Sequence, residues 1–94
     1  MTTTTPLAPS LPAEAVSAGW RRWPTRTGSP ARFAKRVGSV WADVLETAAG
    51  YDWRVTIGVT VASSGSTAGG DAFDRALRDA ANFLWWHAPN RRAA

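Results

Sequence analysis

Cysteine is absent from the 94 residues, and histidine, lysine, methionine and tyrosine occur once each. Without cysteine neither a disulfide framework nor a thiolate zinc site can staple the chain, so packing must hold it together. The lone histidine, His87, excludes a multi-histidine metal site, and no cofactor is expected. Long hydrophobic runs are also missing. The most apolar stretch, 55–62, is interrupted by Thr56, Gly58 and Thr60 and is far shorter than the roughly 20 residues that span a bilayer, so no membrane association is expected. Residues 1–12 hold four consecutive threonines and three prolines, with no basic start and no apolar run of signal-peptide length, which leads to the expectation of a cytoplasmic protein.

Acidic residues are scarce. Seven Asp and Glu face eleven Lys and Arg, giving a net charge of +4 and a pI near 11.1. That balance favours nucleic acid or an acidic protein as partner. All the cations except Lys35 are arginines, a bias that the codons of a GC-rich genome also produce, so their placement matters more than their number. What the chain has in quantity is apolar and aromatic surface: 45% of residues are hydrophobic and six are tryptophan, too many for a fully disordered chain. The length allows one small domain.

The organisation expected is a disordered leader over 1–12, a single small α+β domain over 13–90 and a basic tail over 91–94. A short helical turn over 13–18 ends at Gly19, and Pro24 biases Trp23 towards extended backbone. A helix is predicted over 30–49, with Ser29 as N-cap, Pro30 at the first position and Gly50 just past the end. Phe33, Val37, Val40, Trp41, Val44 and Ala48 form its apolar stripe, and Gly38 inside it costs about 1 kcal/mol relative to alanine. Strict alternation of Trp53, Val55, Ile57, Val59 and Val61 with smaller or polar residues predicts a strand over 53–62. A flexible Gly/Ser loop over 63–70 follows. A second helix then runs from a cap at Asp71 to about His87, burying Phe73, Ala76, Leu77, Ala80, Phe83 and Leu84.

This helix, strand, helix order leaves a lone strand, which cannot satisfy its own backbone hydrogen bonds. The N-terminal segment Trp20 to Trp23, a tight hairpin around Ile57 and Gly58, or the same strand of a second copy could complete it. The last option makes a homodimer by strand addition.

Catalysis is not expected. The glycines Gly65, Gly69 and Gly70 ahead of a helix have the outline of a phosphate cradle, but neither GxxxxGK[ST] nor GxGxxG is present, and Asp71 sets a carboxylate where an anion would sit. Ser63, Ser64 and Ser66 have no basic partner at recognisable spacing. The pairs Asp43 with Glu46 and Asp71 with Asp74 have the spacing of solvated helix faces, and a histidine near a helix C-terminus is ordinarily structural.

The candidate contact surface is the stretch 20–36. It holds six of the eleven cations, Arg21, Arg22, Arg26, Arg32, Lys35 and Arg36, and no acid. On the predicted helix, Arg32, Lys35 and Arg36 precede Asp43 and Glu46 against the helix dipole, at about 0.3–1 kcal/mol per charge, a cost that binding would explain. Trp20 and Trp23 flank Arg21 and Arg22, which suits base stacking beside phosphate contacts and equally suits core packing. A second candidate, for protein contact, combines Trp85 and Trp86 with Arg75, Arg78 and Asn82. The sequence thus predicts a non-enzymatic nucleic-acid-binding regulator. The alternative is a protein-binding adaptor or inhibitor of the phage or mobile-element type.

Overall fold

The computed structural model describes residues 10–26 and 28–88. The first nine residues of the expected leader and the whole basic tail 91–94 lie outside the described residues. The chain forms a short helix α1 (Ala13–Ser17), strands β1 (Arg21–Arg22), β2 (Arg32–Val37), β3 (Val40–Glu46), β4 (Gly50–Ile57) and β5 (Thr60–Ala68), and a helix α2 (Ala72–His87). The strands make one antiparallel sheet in the order β1-β2-β3-β4-β5. The α+β class stands, and the helix, strand, helix order fits loosely: the first helix is the short α1, and five strands take the place of one.

The helix predicted over 30–49 is a β-hairpin. Val37 pairs with Val40 across the two residues Gly38 and Ser39, and Gly38 has φ +62°. A two-residue hairpin loop whose first position has positive φ favours glycine there, so the residue that looked costly inside a helix is the turn. The apolar residues of this segment permit both readings. Val40, Ala42 and Val44 are two apart, yet Val37, Val40, Trp41 and Val44 are also three and four apart. Their β-branched and aromatic character, together with a neighbouring strand, decides for the sheet.

The strand predicted over 53–62 turns back at Gly58, which also has φ +62°, and continues as β5. Neither the N-terminal segment nor a second copy is needed to complete it, since β3 and β5 flank β4. Trp20 to Trp23 does fold back, but against β2. The expected loop 63–70 is mostly strand: Ser63 to Ala68 pair with β4 from Val55 back to Gly50. Gly65 is required there by space, because a Cβ would come within 2.7 Å of three indole atoms of Trp53.

α2 ends as expected and lies over β3, β4 and β5. It buries Ala72, Ala76, Leu77, Ala80 and Leu84, whereas Phe83, expected in the core, is 41% exposed and stacks on Trp53 with ring centroids 5.2 Å apart. Asp71 does not cap α2 through its side chain; its Oδ1 accepts from Arg75 Nε at 2.9 Å. Facing the helix, the sheet contributes Phe33, Val40, Ala42, Val44, Trp53 and Val55 to the core, and Ala15 and Trp20 extend that layer beside β2. Full burial of residues such as Val44, Val55 and Leu84 stabilises the fold by about 1.5–3 kcal/mol each. Among the described residues no helix is long and apolar enough to cross a membrane.

Candidate nucleic-acid interface

Side chains alternate between the two faces of a sheet, and residues paired across strands share a face. Since α2 covers one face, the pairing register reads out the other as three rows. The first runs Arg32, Leu45, Asp52, Ser66; the second Arg21, Ala34, Asp43, Arg54, Ser64; the third Arg36, Trp41, Thr56, Val61. Trp23 extends the first row, its backbone N–H donating to the carbonyl of Arg32 at 2.9 Å.

These rows place aromatic rings and guanidinium groups side by side. Trp23 and Trp41 lie 6.0 Å apart between ring centroids, tilted by 39°. The Arg32 guanidinium sits 5.3 Å from the centre of the Trp23 ring, and that of Arg36 5.5 Å from the centre of the Trp41 ring. Such cation–π contacts contribute about 0.5–1 kcal/mol at exposed sites. Arg32 also donates from Nε and Nη2 to Asp43 Oδ1, at 3.0 and 2.7 Å, and Arg36 Nε donates to the carbonyl of Gly38 at 2.6 Å. The two arginines are therefore oriented by the sheet itself.

Clefts open on this face. One, of about 400 Å³, is lined by Trp23, Arg32, Trp41, Asp43, Arg54 and Thr56. Its neighbour, of about 450 Å³, is the more polar one, with Asp52, Ser64 and Ser66 among its walls; Asp43 and Arg54 belong to both. Ser66 Oγ donates to Asp52 Oδ1 at 2.7 Å. The face offers flat π-surfaces and cations to an anionic, aromatic ligand, and a carboxylate between them to accept hydrogen bonds.

The predicted contact residues are divided among different places. Arg21, Arg32 and Arg36 stand on the open face; Arg21 Nη1 donates to the carbonyls of Val16 and Trp20, at 3.2 and 2.8 Å, bracing the junction of α1 and β1. Arg22 and Lys35 pair with Phe33 and Ala42 and so belong to the opposite pleat, where the Lys35 stem runs past Gly19. Arg26 is exposed in the loop after β1. With no helix at 30–49, the dipole argument for Arg32, Lys35 and Arg36 is void. The two tryptophans of the stretch separate as well: Trp20 is core at 2% exposure, Trp23 surface at 39%.

In the second candidate surface, Trp85 and Trp86 are 60% and 57% exposed, with ring centroids 6.4 Å apart. Asn82 and Arg78 are exposed on α2, and Arg78 lines a cleft between α1 and α2. Arg75 instead clamps the start of the helix, through Asp71 and the carbonyl of Ala68.

Trp41 and Arg54 were not among the predicted contact residues. Trp41 belongs to the apolar stripe of the predicted helix, and Arg54 is one of the smaller or polar residues alternating along the predicted strand 53–62. A two-residue period through Trp41, Asp43 and Leu45 is the signal that assigns Trp41 to an open face, and pairing with Asp43 brings Arg54 to the same one. Ser63, which has no basic partner by sequence spacing, lies with its Oγ 3.3 Å from His87 Nε2, a bond that ties the last turn of α2 to β5. Among the described residues no three His, Cys, Asp or Glu side chains gather where a metal ion could be held. Comparison of the chain with protein-family models, curated proteins and solved structures returns no match.

Proposed function

We propose that this chain is a non-enzymatic, nucleic-acid-binding regulator that uses the open face of its sheet. The observation that carries the reading is the Trp23 and Trp41 pair, each ring backed by an arginine, on a face that α2 leaves uncovered. Arg36 and Arg54 flank the rings and would meet phosphates. Arg32 is half neutralised by Asp43, so it serves more to orient than to attract. Sequence-independent attraction of this kind weakens linearly in log salt, with a slope set by the number of phosphates neutralised.

Fluorescence anisotropy of labelled oligonucleotides against salt concentration tests this. Arg36→Ala and Arg54→Ala should each weaken binding and reduce the slope by about 0.7–0.9. If the protein binds no oligonucleotide at about 50 mM salt, or if both substitutions leave affinity and slope unchanged, the reading fails.

A second reading, a protein-binding adaptor, is favoured by the exposure of Phe83, Trp85 and Trp86 along the C-terminal half of α2. Under it, Trp85→Ala or Trp86→Ala should abolish co-purification of a single host protein, at about 2 kcal/mol or more, while leaving the far-UV spectrum intact. Nuclease treatment of the lysate separates the two readings.

A further inference from the structure

Resting on the nucleic-acid reading, we infer that the ligand is a single strand, one unpaired base of which lies on the Trp23 indole with its edge towards Asp43. An undistorted major groove, about 12 Å wide, admits a helix or a two-stranded ribbon rather than a five-stranded face, and an indole can stack only on a base that has left its own stack. The Trp23 and Trp41 rings do not sandwich a base. A base between two rings needs roughly 7 Å between them, two contacts of about 3.5 Å, whereas these centroids are 6.0 Å apart and tilted by 39°. The base therefore rests on one ring. Trp23 is the platform, because it is 39% exposed at the end of the edge strand β1 while Trp41 is half-buried behind it.

The cleft beside these rings, about 400 Å³, holds Asp43 on its wall. Its side chain is 14% exposed, with Oδ1 held by both Arg32 donors. A carboxylate there repels phosphate and accepts a hydrogen bond from a base amino group, so the base edge points in. The backbone passes the cations beside it: Arg54 lines the same cleft, and Arg36 stands across from Trp41 on the neighbouring strand. Cytosine, with its N4 amino donor, fits this wall better than thymine, whose corresponding atom is an acceptor.

The test compares ten-nucleotide oligo-dC, oligo-dT and a duplex of equal length, with wild-type, Trp23→Ala, Trp23→Phe and Asp43→Asn chains. The wild type is expected to bind oligo-dC at least roughly tenfold more tightly than the duplex. Trp23→Ala should lose roughly five- to hundredfold in single-strand affinity, Trp23→Phe should retain most of it, and Asp43→Asn should narrow the oligo-dC to oligo-dT ratio. Binding of neither form defeats the nucleic-acid reading itself. Duplex binding equal to or tighter than single-strand binding, or a Trp23→Ala chain with unchanged affinity, overturns this inference and leaves the broader reading standing. An unchanged base ratio in Asp43→Asn overturns the orientation of the base.

Discussion

At the scale of single residues, charge and ring placement follow from the pleat. Arg32 and Arg36 reach the same face because they are four apart on a strand, and Lys35 between them is turned away. The one tyrosine gives a separate, measurable consequence. Tyr51 pairs with Glu46 across β3 and β4, and its ring packs against Phe73 with centroids 5.0 Å apart. Burial first, and the Glu46 carboxylate second, disfavour the phenolate and raise the Tyr51 hydroxyl above its usual value of 10.0. A raised folded value means that the folded state holds the proton more tightly than the unfolded one. The stabilisation is present below pH 10 and is lost as pH rises through the folded value. Because no other tyrosine contributes, an absorbance titration of the native chain reads this group alone. Its midpoint should lie above that of the urea-unfolded chain; coincident midpoints would contradict the packing described.

At the scale of elements, the fit of β5 against β4 depends on an absent side chain. Trp53 points into the core, yet its indole spreads across the position of Gly65 on the next strand and meets Phe83 of α2 in a stacked pair. Gly65→Ala forces the indole or the strand to move, since neither is a flexible side-chain end. Overpacking of this kind costs about 1–3 kcal/mol. Gly70→Ala is the matched control, because a Cβ there meets nothing within 4 Å and its φ is not in the left-handed region; it should stay within about 0.5 kcal/mol of wild type. Urea denaturation followed by tryptophan emission measures both, and equal midpoints for the two variants would remove Trp53 from the place assigned to it. The edges of the sheet differ in the same local terms. β1 is two arginines long, while β5 runs nine residues without charge or proline.

At the scale of the whole molecule, one core joins α1 and Trp20, the helix-facing rows of β2 to β4, and α2. Removing the contact of α2 would expose the apolar side of the sheet as well as the side already open. Unfolding is therefore expected to be a single transition, with far-UV circular dichroism and tryptophan emission giving the same midpoint. Two separated transitions would mean that α1 and β1 unfold independently of the rest. Length, charge, the absence of cysteine and of a membrane-spanning run, the second helix with most of its buried stripe, and the alternation of β4 follow from the amino-acid sequence alone, because each depends on composition or on contacts within one element. The hairpin at 30–49, the strand at 63–68 and the separation of Trp20 from Trp23 do not. Gly38 can interrupt a helix or make a turn, serines can line a loop or a strand, and an indole can fill a core or cover a surface. Pairing with a neighbouring strand and shelter under α2 decide each of these, and both are contacts between residues distant in the chain. The basic stretch was legible as a concentration of charge; which cations stand beside which rings was decided by the register of the sheet.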